Sequence, residues 1–265
     1  MELSEQTGAV IGLAAMATAF VGISLLEVLA PRRPLSMPKL RRWTTNLGLF
    51  ALDTALVRLA IPLLMVGTAQ WAGQNGWGLF NLIDLPSWLA FVLAIVLLDF
   101  ALYLQHWATH RVPILWRLHK VHHVDPDFDI STAARFHPIE IGLSMLYKMA
   151  VVALLGPSVL AVFVFEVAFN IATIVTHANL SLPPRVDRAA RRLVVTPDMH
   201  RIHHSSRQVE TDSNYGTMLS MWDRIFATYT PTAQDGQDRM QIGLASYRDT
   251  RPSKLWWSLL FPFRD

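Results

Sequence analysis

The chain has 265 residues, 52% of them hydrophobic and only 16% charged, with a formal net charge of +3. Together with a mean hydropathy of +0.31, that balance places it among membrane proteins and argues against an ordinary soluble domain. Cysteine is absent, which excludes disulfides, thiolate metal sites and iron–sulfur clusters and leaves nitrogen and oxygen to hold any metal.

Residues 9–30 form an apolar run long enough to span a bilayer, with Glu27 near its end, where a charge can reach the interface. No basic segment precedes the run, so no cleavable leader is expected. Arg32, Arg33, Lys39, Arg41 and Arg42 follow among three prolines and read as a cytoplasmic loop by the positive-inside rule. As a nucleic-acid patch the segment is too short, and membrane flanks it on both sides. A second run, 46–70, contains Asp53 and Arg58, which are expected to pair or face other helices because a lone charge at mid-membrane costs roughly 2.5–3.5 kcal/mol. The loop 71–87 lacks Lys and Arg and suits the opposite interface.

The third run, 88–105, leads into a stripe of Asp99, Tyr103, His106 and His110 at helical spacing. After the polar stretch 106–138, Pro138 is placed to open a helix with Glu140 in its first turn. Runs 139–155 and 158–177 around Gly156-Pro157 read as a hairpin, the first arm short for a full crossing. Residues 178–250 are polar, and the tail 255–263 is too short to span, with Trp256 and Trp257 expected as interfacial anchors. The expectation is an all-α membrane protein with about four to five transmembrane or re-entrant helices. A cytoplasmic helical cap then holds a histidine-rich dimetal site.

All ten histidines fall between residues 106 and 204. They run as His106-x3-His110, His119-x2-His122-His123, single His137 and His177, and His200-x2-His203-His204. Spacings of three and four put imidazoles on one helix face, and neutral imidazole is the commonest nitrogen ligand for zinc, iron and copper. One His-x3-His pair is a weak signal, but His-x2-His-His occurring twice is not. Counting crossings from the basic loop puts all three clusters on one face of the membrane. So many nitrogens exceed what one ion needs. Two zinc ions would suit hydrolysis, whereas two iron ions would suit oxidation of unactivated C–H bonds; a transporter or sensor would need polar groups along a path through the membrane.

The order HWATH, HKVHH, HRIHH resembles the fatty acid hydroxylase/sterol desaturase superfamily of integral membrane di-iron oxidases. RFHPIE at 135–140, His177-Ala-Asn179, TPDMHRIHH at 196–204, Asn214-Tyr215-Gly216 and WDRIF at 222–226 with Tyr229 extend the match over about 90–230. The resemblance implies a catalytic unit at 89–235 after an N-terminal transmembrane region at 1–88, with a C-terminal tail at 236–265. It implies metal ligation by His106, His110, His119, His122, His123, His177, His200, His203 and His204. His137 would be a tenth ligand or a nearby donor. Asp99, Asp125, Asp198 and Asn179 are candidate partners of the ligand imidazoles, Asp99 alternatively pairing with Arg58. Asn214, Tyr215 and Asp223 would brace the cap.

The implied activity is O2-dependent hydroxylation or desaturation of a lipid, with electrons from a separate ferredoxin- or cytochrome-type donor. The expected location is a bacterial inner membrane with the site on the cytoplasmic face. Two positions depart from the family pattern. Thr173 stands where some members carry another histidine, and Trp107 follows His106 where arginine is common.

Overall fold

The computed structural model describes residues 5–61 and 63–264. Among these described residues, five apolar stretches are long enough to cross a membrane. Helix α1 (Glu5–Leu29) is the first, and α2 (Lys39–Ala60) and α3 (Leu64–Gln74) together make the second. The short α4 (Leu79–Leu82) leads into α5 (Ser87–Arg111). Helix α6 (Pro113–His123) doubles back on α5, and α7 (Pro138–Leu155) and α8 (Val159–Thr176) form the expected hairpin. Six short helices complete the cap and tail. They are α9 (Pro184–Ala190), α10 (Pro197–His203), α11 (Gln208–Thr211), α12 (Met221–Ile225), α13 (Gly236–Arg239) and α14 (Leu255–Leu260). Among the described residues there is no strand, only isolated bridges such as Pro31 with Leu180.

The single run read at 46–70 is two helices. Pro62 disfavours a helical Ile61, and Ile61 is extended at φ −124° and ψ 100°. Both pieces still descend along α7: Leu56 lies beside Gly142, and Met65 packs near Val152. They therefore form one bent crossing. Helix α1 packs on α8, and α5 lies against α7 and α8. Met65, Ala69, Leu98, Val152, Val162 and Phe165 make the core between α3, α5, α7 and α8. Outward residues such as Leu13, Leu29, Leu59 and Leu154 are exposed, as suits contact with lipid.

Asp53 and Arg58 do not pair. Five residues advance a helix by about 140° beyond a full turn, so Asp53 is buried while Arg58 is exposed. Glu27 does not reach out to an interface either. It is buried and accepts the backbone N–H of Ile130 (2.8 Å) and of Asn179 (2.7 Å), tying α1 to two segments of the cap. In the tail, Trp256 is 76% exposed, as expected of an anchor, but Trp257 is 8% exposed. It packs with Leu49, Val121, Val124 and Phe261, so α14 closes over α2 and α6.

The two far turns meet. Gly78 (φ 97°) and Gly156 (φ 62°) adopt backbone conformations that L residues rarely hold, and Asn81 Nδ2 donates to the Gly156 carbonyl at 3.1 Å. The loop after α3 and the α7–α8 turn thus share one end of the bundle. The histidines lie at the other end, beside the start of α7, roughly 27 Å away by helix rise. A Cβ on Gly156 would stand 2.4 Å from the Trp77 carbonyl. Gly156→Ala should therefore lower stability by about 1–3 kcal/mol. Gly22→Ala, inside α1 with no packed neighbour near the added Cβ, should leave the melting temperature in detergent no lower than that of the parent chain.

Candidate metal centre

The C-terminal end of α5 carries His106 and His110 one turn apart, on the same face. Val112 is extended and Pro113 takes the first position of α6, where its missing N–H is harmless. The chain therefore folds back at once and brings His119, His122 and His123 against the first pair. Thr196 caps α10, its Oγ1 accepting from Met199 N at 3.3 Å, with Pro197 at the first helical position. That helix presents His200, His203 and, at its C-cap, His204. His177 is the C-cap of α8.

These nine side chains form two groups, each with ligand atoms within 4.8 Å of one another. One contains His106, His110, His119, His123 and His203; the other contains His122, His177, His200 and His204. Each His-x2-His-His box is divided between them. Adjacent residues on a helix diverge by about 100°, so His122 and His123 face different centres, as do His203 and His204. The spacing that gathers the imidazoles also links the two groups.

Five of the rings are oriented by acceptors on Nδ1. His106 donates to the Tyr215 carbonyl (2.7 Å), His122 to that of Arg135 (3.0 Å), His177 to that of Thr173 (2.8 Å) and His203 to that of Ser213 (2.7 Å). His119 donates to Glu140 Oε1 at 2.6 Å. A carbonyl or carboxylate oxygen can only accept, so each of these rings turns a bare Nε2 lone pair inward. Nε2 of His177 lies 3.1 Å from Nε2 of His122, and Nε2 of His123 lies 3.2 Å from Nε2 of His119. For His122 and His177, whose Nδ1 protons are both given outward, two lone pairs at that distance repel unless a cation sits between them. Among the described residues, the buried Nε2 atoms of His203 and His204 find no hydrogen-bond partner. The donor set fits two metal ions held by nitrogen.

The other expected residues do different work. His137 is outside both groups. Its Nδ1 accepts from Ile139 N (3.2 Å) and its Nε2 donates to the Leu259 carbonyl (3.1 Å), so it caps α7 and ties down the tail. Asp99 touches neither an imidazole nor Arg58; its Oδ2 accepts from Trp222 Nε1 (2.8 Å) and Leu219 N (3.2 Å). Asp125 is bidentate with buried Arg42 at 2.8 and 2.9 Å. Arg42 also binds Asp129 at 2.7 Å. Asp198 pairs with Arg201, and Asn179 brackets the backbone of Arg33.

Of the brace residues, Asp223 accepts from Tyr215 N (2.8 Å) and Gly216 N (2.9 Å), which fixes the carbonyl that His106 uses. Asn214 donates to the carbonyls of Met199 and Thr230. Arg135 binds Asn46 Oδ1 (2.8 Å), Ser258 Oγ (2.9 Å) and the Val121 carbonyl (2.7 Å), so the His122 acceptor is equally rigid.

Two carboxylates escaped the reading of the sequence. Glu140 was placed only as a helix-start acid, although its position beside a histidine-proline dipeptide was visible. Asp212 Oδ1 lies 3.5 Å from His110 Nδ1, and nothing in its local sequence marks it. The carbonyl acceptors leave no side-chain signature.

Residues 91–228 match the profile of the fatty acid hydroxylase family, a range holding all nine clustered histidines. The chain is 29% identical over 234 residues to an alkylglycerol monooxygenase of Danio rerio, covering 85% of this chain and 48% of that protein. It is 29% identical over 176 residues to an ornithine lipid hydroxylase of Rhizobium tropici, covering 66% and 49%. To a Delta(7)-sterol 5(6)-desaturase of Aspergillus fumigatus it is 29% identical over 198 residues, covering 69% and 54%. The chain thus spans about half the length of these relatives. No solved structure matches it.

Burial first, and then neighbouring imidazoles, hold His122, His123, His200 and His204 well below the ordinary histidine value. Burial lowers His177 to about 4 and His203 to about 3 from 6.5. Between those values and 6.5 the unfolded chain binds protons that the folded chain refuses, so stability rises with pH across that window and levels above it. Metal-stripped protein in detergent should therefore show a constant melting temperature above pH 6.5 and a steep fall as the pH is lowered toward 4.

Proposed function

This chain belongs to the fatty acid hydroxylase family, and from that premise we propose that it is a membrane oxidase that hydroxylates or desaturates a C–H bond of a lipid. The observation that carries the reading is the pair of histidine groups at the ends of apolar helices, with bare Nε2 atoms facing one another. Two iron ions held there would supply the activation of dioxygen, with electrons from a separate ferredoxin- or cytochrome-type carrier. Hydroxylases, monooxygenases and a desaturase stand among the relatives, and they favour oxidation over a di-zinc hydrolase.

The chain's own residues would orient the ions and keep water away. The Nδ1 acceptors fix ring directions. Phe136 stacks on His122 with ring centres 4.3 Å apart, and Phe128 lies over His177 and His204 at 5.5 and 4.9 Å. Met65, Leu98, Ala101, Leu102, Tyr147, Lys148, Val151 and Phe165 line a crevice between α3, α5, α7 and α8 that is closed in this packing and would have to open to admit a lipid chain. Leu98, Leu102 and His106 follow one another at intervals of four, so a chain lying in that crevice would be led along one face of α5 to the centre.

The polar end of the lipid would then rest at the membrane surface. The basic loop carrying Arg32 and Arg33 is at the histidine end, where Arg33 donates to Gln237 O and Arg32 pairs with Asp238. By the positive-inside rule that end is cytoplasmic.

Protein purified anaerobically should carry close to two irons per chain and should oxidise added lipid only with oxygen and a reductant. Leu102→Trp, which would block that crevice from opening, should keep the iron and lower turnover by on the order of 100-fold. Two zincs and activity without oxygen would refute the oxidase.

A further inference from the structure

The two histidine groups differ in what stands behind them. In the five-membered group, His119 donates to Glu140 at 2.6 Å. His110 Nδ1 lies 3.5 Å from Asp212 Oδ1, a buried oxygen with no hydrogen bond of its own. In the four-membered group the acceptors are carbonyls, those of Arg135 and Thr173, and aromatic faces of Phe128 and Phe136 cover the rings. Among the described residues, none of these four imidazoles contacts a carboxylate.

We propose that the two metal positions are inequivalent, the five-histidine position backed by Glu140 and Asp212 holding its ion more tightly than the four-histidine position. This rests on the reading that both groups bind metal. An imidazole whose N–H is given to a carboxylate is a stronger base at its other nitrogen than one bonded to a carbonyl. Each carboxylate also places a full negative charge near the ion in a low-dielectric surrounding, where a carbonyl contributes only a dipole. The fifth imidazole acts in the same direction. Glu140 and Asp212 are positioning residues, because they reach the ion only through a ring.

The experiment challenges the metal-loaded full chain in detergent with graded chelator and counts the metal retained, without reference to turnover. The expected result is two separate losses, the second at higher chelator concentration. His204→Ala should abolish the early loss and keep the late one, which assigns the late ion to the five-histidine group. Glu140→Gln keeps the shape but removes the charge, and it should move the late loss to roughly 10–100-fold lower chelator, leaving the early loss in place. Asp212 lies at the partly exposed rim of the site, so Asp212→Asn serves if Glu140→Gln does not fold, and it should shift the same step in the same direction. Joint loss of both ions, or a shift confined to the early step, would overturn the inequivalence. A wild-type chain that binds no metal would instead overturn the reading beneath it.

Discussion

Nine imidazoles packed into one buried volume create a problem of like lone pairs, and the rest of the structure is arranged around it. A neutral ring can donate from one nitrogen only. Where that proton is given to an outward acceptor, the inward nitrogen is bare, and the approach of His122 to His177 at 3.1 Å is unfavourable unless a cation lies between them. The interior is too apolar to keep the rings protonated. This cage of imidazoles is therefore poor as an ordinary protein core, and bound cations would relieve it.

Holding that cage demands acceptors that do not move, and most of them are backbone carbonyls fixed by buried charge. Arg135 reaches Val121, Asn46 and Ser258, and the neighbouring Arg42 binds Asp125 and Asp129. Such buried pairs add little net stability by themselves, because desolvation offsets attraction. They do specify geometry, since any shift would strand a charge. Glu27 has the same effect from α1, joining the segments that carry Ile130 and Asn179. On the other flank, Asp99 pins Leu219 and Trp222 to α5, and Asp223 closes the 215–222 loop from α12. The cap is thus stitched to membrane helices by polar contacts buried at their ends, while the helices themselves associate through small and apolar residues.

The charged residues inside the apolar runs were hard to read. The cost of a lone charge at mid-membrane suggested that Asp53 and Arg58 pair or face other helices, and helical phase separates the two. Glu27 near the end of a run suggested a charge reaching for water, whereas its side chain turns in against the cap and accepts from two backbone amides. The tail offers the same lesson: of two adjacent tryptophans, one faces outward and the other fills the space between α2 and α6. Hydropathy cannot distinguish lipid from protein as the apolar neighbour.

By itself, the sequence determined the helical membrane class, the hairpin around Gly156, the nine clustered histidines and their gathering at one end. These follow from period, length and ligand chemistry, which are local properties of the chain. Only the tertiary structure decided how the boxes divide into five and four, that His137 serves as a cap, and that Glu140 and Asp212 stand behind the rings. Those outcomes depend on which helix faces meet across long sequence separations, and on carbonyl acceptors that every residue possesses and no side chain announces.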